Sequence, residues 1–218
     1  MNQSRPRPKE TTEEQLVELL RRSATVLPGI DDPAFADAFD QFADARVVLI
    51  GEASHGTSEF YRARAAITRR LIERHGFTIV AAEADWPDAA KIDRYVRQQQ
   101  PPAWVEEGFK RFPTWMWRNQ EVADFARWLR NHNDAQPAER RVEFRGLDVY
   151  SLGASIQEVL GYLDRVDPDA AATARRRYGC LSPWHDEPAV YGHNVMRGEP
   201  SCEAAVVEQL RALLDQRL

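Results

Sequence analysis

Apolar and polar positions alternate with several different periods along the chain, and each change of period marks an element. Leu16, Val17, Leu19 and Leu20 recur at helical spacing, and Thr11 and Glu14 stand at capping-box distance, which predicts a helix over Thr11–Ser23. Pro33 behind a capping Asp32 opens a second short helix with Phe35, Phe39 and Phe42 on one side. Val47 to Ile50 form an unbroken apolar run, the pattern of a strand buried on both faces, and predict an opening strand at about Arg46–Ile50. Thr57 or Ser58 then caps a long helix ending near His75, with Gly76 as its stop and Phe60, Ile67, Leu71 and Ile72 as its buried side.

A second strand is expected over Phe77–Ala82, ending at Glu83, and a helix from Pro87 to about Gln99, stopped by Pro101 and Pro102. A tryptophan-rich stretch leads to a helix from about Asn119 to His132, and a third strand runs from Val142 to Leu147, ending at Asp148. From Leu152 onward the pattern is mostly helical, interrupted by the loop CLSPWHDEPAVYGHN. Helical connections of this length require crossovers between parallel strands. The expected class is therefore α/β, a parallel sheet flanked by helices on both faces, with a mostly helical C-terminal third. Residues 1–10, alternating Arg and Pro, are expected to be a disordered tail ahead of one domain over 11–218.

Composition narrows the class of function. At 218 residues the chain is long enough for one domain with a substantial core. A net charge of -5 gives no support to a nucleic-acid partner, which usually needs a basic face. No apolar run reaches the ~18–20 residues that span a bilayer, and MNQSRPRPKE lacks the apolar segment of a signal peptide. The two cysteines, Cys180 and Cys202, make no disulfide framework, so a cytoplasmic location is the simplest expectation.

Candidate chemistry gathers where the expected strands end. Ligands of open parallel sheets bind outside the carboxyl ends of the strands. The first strand delivers Glu52 and His55, the second Glu83 with Asp85 just after, and the third Asp148. A neutral imidazole can take a proton from water near neutral pH, and a carboxylate one turn away fixes its tautomer. Arg64, nine residues past His55, is placed to stabilise an oxyanion or hold a carbonyl. There is no Gly-x-Ser-x-Gly elbow, and GEASHG lacks the Lys-Ser/Thr of a phosphate loop. Water activated by His55 is the favoured reading. Glu52, His55, Glu83 and Asp148 are also acceptable ligands for a divalent ion, so a metal-dependent hydrolase is the alternative from another mechanistic class.

VVLIGEASHGTSEFY, VAAEADWPDAAKIDRYV and FRGLDVYSL resemble blocks of the erythromycin esterase family over about Ala45–Asp164, with GEASHGTSEFY the most specific. The resemblance implies hydrolysis of macrolide lactones or related esters, response to antibiotics, and attack by a His-activated water without a metal or other cofactor. It also implies that Glu52 and His55 are the motif acid and general base, and that Arg64 and Glu83 are the active-site arginine and second glutamate. Family members are longer, and a histidine pair in their C-terminal half completes the cleft. His185 and His193, in PWHDEPAVYGHN, do not match that pair. The chain is thus expected to be an N-terminal portion, incomplete at its C-terminus, which leaves a non-catalytic binding remnant as a third reading. An incomplete domain also predicts self-association through exposed apolar surface.

Asp148, Trp86, Trp115 and Trp117 are the candidate substrate contacts. The tryptophan-rich stretch, with Trp104, Phe109, Phe112 and Met116, suits either a hydrophobic pocket or core filling. Cys180, His185, His193 and Cys202 fit no compact zinc spacing. His75 suits a helix C-terminus, where a cation complements the dipole. The expected partner is a small ester or lactone, with neither nucleic acid nor membrane.

Overall fold

The computed structural model describes residues 12–99, 109, 114–185 and 187–216. The expected tail at 1–10, Pro101 and Pro102, and Trp104 and Phe112 lie outside the described residues. Helix α1 (Glu13–Ser23) is capped one position later than the spacing predicts. Thr12 Oγ1 accepts from the Gln15 N–H at 3.3 Å while the Gln15 carboxamide accepts from the Thr12 N–H at 3.2 Å, so the capping box is Thr12/Gln15. Its apolar side is amphipathic by pattern, yet Leu16, Leu19 and Leu20 face solvent. A 3-10 helix over Pro33–Phe42 follows, with Asp32 Oδ1 accepting from the Ala34 N–H at 2.8 Å. The Phe35 and Phe39 rings meet at 5.4 Å.

Helix α2 (Ser58–His75) begins after Thr57 and ends at Gly76, whose φ of 71° is the left-handed cap that glycine adopts without strain. It buries Tyr61, Ile67, Leu71 and Ile72; Tyr61 takes the deep position expected of Phe60, which is half-buried. The far end of α2 is tied to the 3-10 helix through Asp40. That carboxylate accepts from Arg70 Nη2 at 2.6 Å and meets His75 Nε2 at 2.6 Å. The Arg70 guanidinium first, and His75 second, hold the Asp40 carboxyl well below the usual carboxylate range. His75 therefore has a named partner beyond the helix end.

The opening strand is not formed. Residues Arg46–Ile50 belong to no sheet, and only alternate side chains are covered. Val48 and Ile50 pack against the Phe35, Ile67 and Leu71 cluster, whereas Val47 is 72% and Leu49 91% exposed. A continuous apolar run does not by itself distinguish burial on two faces from burial on one.

Strand β1 (Ile79–Asp85) starts two residues later than expected because Phe77 is used for packing, and it pairs in parallel with β2 (Glu143–Asp148). The register runs Ile79 to Glu143 through Ala82 to Gly146, then slips so that Asp85 faces Asp148. Glu83 and Ala84 occupy this irregularity, so Glu83 lies within the strand rather than at its end. Among the described residues these two strands make the sheet. Helix α3 (Trp86–Val96) and helix α5 (Gln120–Asp134), the latter preceded by the short α4 (Thr114–Trp117), close one face of it. Ala84 and Phe144 meet Ile92, Val96, Phe125 and Leu129 there. Ile79 and Leu147, on the other side, are exposed.

Close approach at the slip explains the glycine of the GLD block. A Cβ on Gly146 would lie 2.6 Å from the Ala84 carbonyl oxygen, 2.7 Å from Trp86 Cα and 2.8 Å from Ala89 Cβ. Two of these are backbone, which cannot swing aside. Gly146→Ala is expected to destabilise the fold by about 1–3 kcal/mol, the usual cost of overpacking. Denaturant unfolding measures it, and a variant as stable as the parent removes this account of the glycine.

The C-terminal third is helical as expected: α6 (Leu152–Val166), α7 (Pro168–Tyr178), α8 (Pro188–Met196) and α9 (Glu203–Gln216). Ile156, Leu160, Leu163, Ala171, Ala174 and Leu181 form a second core. Trp86 Nε1 donates to Ser155 Oγ at 2.8 Å, linking this core to the sheet. Cys180 and Cys202 are joined in a disulfide, with Cα atoms 6.0 Å apart, where the sequence suggested no cross-link. Among the described residues no helix is long and apolar enough to cross a membrane.

Candidate functional site

The GEASHG loop leads into α2, and this local geometry turns the Glu-x-x-His spacing into a contact. Glu52 Oε1 hydrogen-bonds His55 Nδ1, and Glu52 Oε2 lies 2.7 Å from Arg64 Nη2. The Glu52 side chain is only 11% exposed, so its carboxylate leaves water only because a cation and an imidazole flank it. An ionised Glu52 accepts, which puts the ring hydrogen on Nδ1 and leaves the Nε2 lone pair free. Arg64 sits on the second turn of α2, within reach of the loop that precedes the helix. Its guanidinium also lies 4.9 Å from the centre of the Tyr61 ring.

Tyr61 carries a role that sequence reading missed. Its hydroxyl donates to the Met116 carbonyl at 2.6 Å and accepts from the Gly56 N–H at 3.4 Å. The loop is thereby fastened to α4. Gly56, at φ 80°, packs under Trp115, where a Cβ would come within 3.0 Å of the indole. Ser54 and Thr57 hydroxyls bond each other at 2.9 Å, so Ser54 is engaged with Thr57 rather than with the neighbouring histidine.

Glu52, His55, Arg64 and Glu83 all line one cavity of about 490 Å3, between the Arg46–Ile50 segment, α2, β1 and α5. Trp117 and Met116 line it as well, as does Glu121, which accepts a hydrogen bond from Ser58 Oγ. Glu121 has no short-range signal: it reaches the cavity from α5, well down the chain. Three of the expected substrate contacts are elsewhere. Asp148 is exposed and accepts from its neighbour's Val149 N–H at 2.7 Å. Trp86 is bonded to Ser155, and Trp115 covers Gly56. Asp85 receives the Ser151 N–H at 3.0 Å together with the Ser151 hydroxyl, a structural tie between β1 and the start of α6. Asp85 and Asp148 face each other beyond the slip at Glu83 and Ala84, and neither lines the cavity that holds His55. Among the described residues no three His, Cys, Asp or Glu side chains come together as a metal-holding group.

Fold and site together define an α/β chain with a carboxylate-clamped histidine and an arginine on the wall of a largely apolar cavity. The erythromycin esterase profile matches residues 72–218. The chain belongs to the erythromycin esterase family. That match begins after the GEASHG block, whereas the resemblance read from the sequence covered about Ala45–Asp164. An erythromycin esterase type II from Escherichia coli is 30% identical over 126 residues, which are 55% of this chain and 29% of that protein. Two solved structures share the fold. A succinoglycan biosynthesis protein superposes with a TM-score of 0.64 at 22% identity, covering 82% of this chain and 45% of its own. A Bacillus cereus protein superposes with a TM-score of 0.63 at 20% identity, covering 82% and 43%. The chain therefore spans less than half the length of each of these relatives.

Proposed function

We propose that the chain hydrolyses a carboxylic ester or a macrolide-type lactone with a water activated by His55, without a metal. The observation that carries this reading is the Glu52 carboxylate held between His55 Nδ1 and the Arg64 guanidinium on the cavity wall. His55 Nε2 takes a proton as the water oxygen attacks the carbonyl carbon, and Glu52 stabilises the imidazolium that forms. The carbonyl oxygen becomes an oxyanion, which guanidinium donors of Arg64 not used by Glu52 stabilise. Collapse breaks the bond to the alcohol oxygen, and the imidazolium returns its proton to that leaving group. Glu83 shares the cavity and is assigned the second acid of the site. Family membership and a relative named for erythromycin hydrolysis support a macrolide as substrate and antibiotic inactivation as the biological role.

Because the chain covers 29% of that relative, binding without turnover is the second reading. The test is mass spectrometry of a macrolide and of simple aryl esters incubated with purified protein, with and without a chelator. Addition of one water to the substrate, insensitive to chelation, is expected. Glu52→Gln should lower kcat by about 10²–10⁴, because a carboxamide no longer fixes the tautomer or balances the imidazolium. Bound but unaltered substrate would establish the second reading instead. A cytoplasmic location is also proposed; the reducing pool there would act against the Cys180–Cys202 disulfide, so a thiol count on protein from that compartment tests it. Exposed Val47, Leu49, Leu147 and Val149 support self-association.

A further inference from the structure

We propose that the substrate ester carries an unsubstituted hydrophobic arm next to its carbonyl, and that this arm is bound in the slot between the Arg46–Ile50 segment and the sheet. The inference rests on the hydrolytic reading for the carbonyl, but the arm is argued from the walls of the cavity alone. Val48, Ile50, Leu71, Val80, Phe125 and Phe144 all contribute apolar side chains to the lining. None of these six offers a side-chain hydrogen bond. A hydroxyl or sugar seated among these six would exchange water for side chains that cannot pair with it, at a cost of about 1–3 kcal/mol for each group left unpaired. An alkyl chain loses nothing and gains from leaving water. The volume of about 490 Å3 falls within the ~300–1,000 Å3 of small-molecule sites.

The polar groups belong to the same cavity. Glu52, His55, Arg64 and Glu83 line it together with the apolar residues. A carbonyl held at His55 and Arg64 therefore has an apolar continuation within one space, which is the arrangement an ester with a medium-length acyl or alkyl arm requires. A lactone meets the same condition only through an unsubstituted apolar stretch of its ring beside the carbonyl.

The test uses the whole chain and a series of n-alkyl methyl ketones, which carry the carbonyl and the arm but cannot be hydrolysed. Binding is followed by calorimetry and by the fluorescence of Trp117, which lines the cavity. Affinity should rise roughly three- to fourfold per methylene over the first members and level off once the slot is full. Ala65 and Thr68 also line the cavity from α2, and Ala65→Leu should flatten the series by filling it while keeping or raising the melting temperature. Thr68→Leu makes the same test if Ala65→Leu does not fold. Affinity independent of chain length in the parent protein, or a slope that survives both fillings, overturns the proposal. A chain-length slope for the ketones with no turnover of any ester keeps the slot and removes the hydrolysis. Turnover of esters without length dependence does the reverse.

Discussion

His55→Ala is expected to lower kcat/KM for ester or lactone hydrolysis by about 10²–10⁴, the usual contribution of a positioned general base. The His55 side chain is 47% exposed, so its removal takes little from the core. The melting temperature should stay close to that of the parent, although Glu52 then keeps Arg64 as its remaining partner. Measuring turnover and thermal unfolding on the same preparation separates loss of chemistry from loss of fold. Full turnover by a folded His55→Ala protein would remove the imidazole from the reaction. Residual hydrolysis above the solvent rate would be credited to Arg64 and to binding in the cavity, not to a second base.

Asn133→Ala is expected to be the most damaging single change to stability. Asn133 is 0% exposed on α5, and its carboxamide closes the junction of three elements. Its amide donates to the Val96 carbonyl at 3.0 Å and the Val142 carbonyl at 2.9 Å, and its oxygen accepts from the Val142 N–H at 2.8 Å. Truncation leaves three buried backbone groups without partners. Each such group costs about 1–3 kcal/mol, and because the three share one small space the total expected is about 3–5 kcal/mol. For a chain of this size the melting temperature should fall by on the order of 10 °C. A loss below about 1 kcal/mol would mean that water reaches the junction and replaces the carboxamide.

How far these features can be read from the sequence depends on how local their causes are. Helix α2 was legible to the residue at its end, because Gly76 acts on its own backbone and Ile67, Leu71 and Ile72 mark one face by spacing alone. The Asp32 cap was legible for the same reason. The pairing of Glu52 with His55 is set by three positions of loop, and Arg64 by the next two turns of helix. Those three were readable as neighbours. Their roles remain for the variants to test.

What escaped was set at a distance. Tyr61 and Phe60 are equally good candidates for the buried position until α4 supplies the Met116 carbonyl that selects Tyr61. Asp148, Trp86 and Trp115 have suitable chemistry, but their contacts are with Val149, Ser155 and Gly56, set by the packing of distant segments, and none of the three lines the cavity. The Arg46–Ile50 run reads as a strand because hydrophobicity reports what could be covered, not whether the backbone pairs with β1 across the cavity.

Parallel pairing also shapes how the chain reaches this state. Asp85 is bonded to Ser151, 66 positions on, and Asp93 to the Phe144 N–H, 51 positions on. No tight turn can bring such partners together, and the chain between the two strands, with helices α3 and α5 in it, has to be closed as one long loop. Closing loops of that size comes before any reward from their contacts, which makes the pairing a late and slow event. During synthesis, β1 would wait with an open edge until β2 emerges, and that interval is when an overloaded expression host would lose this protein to aggregation.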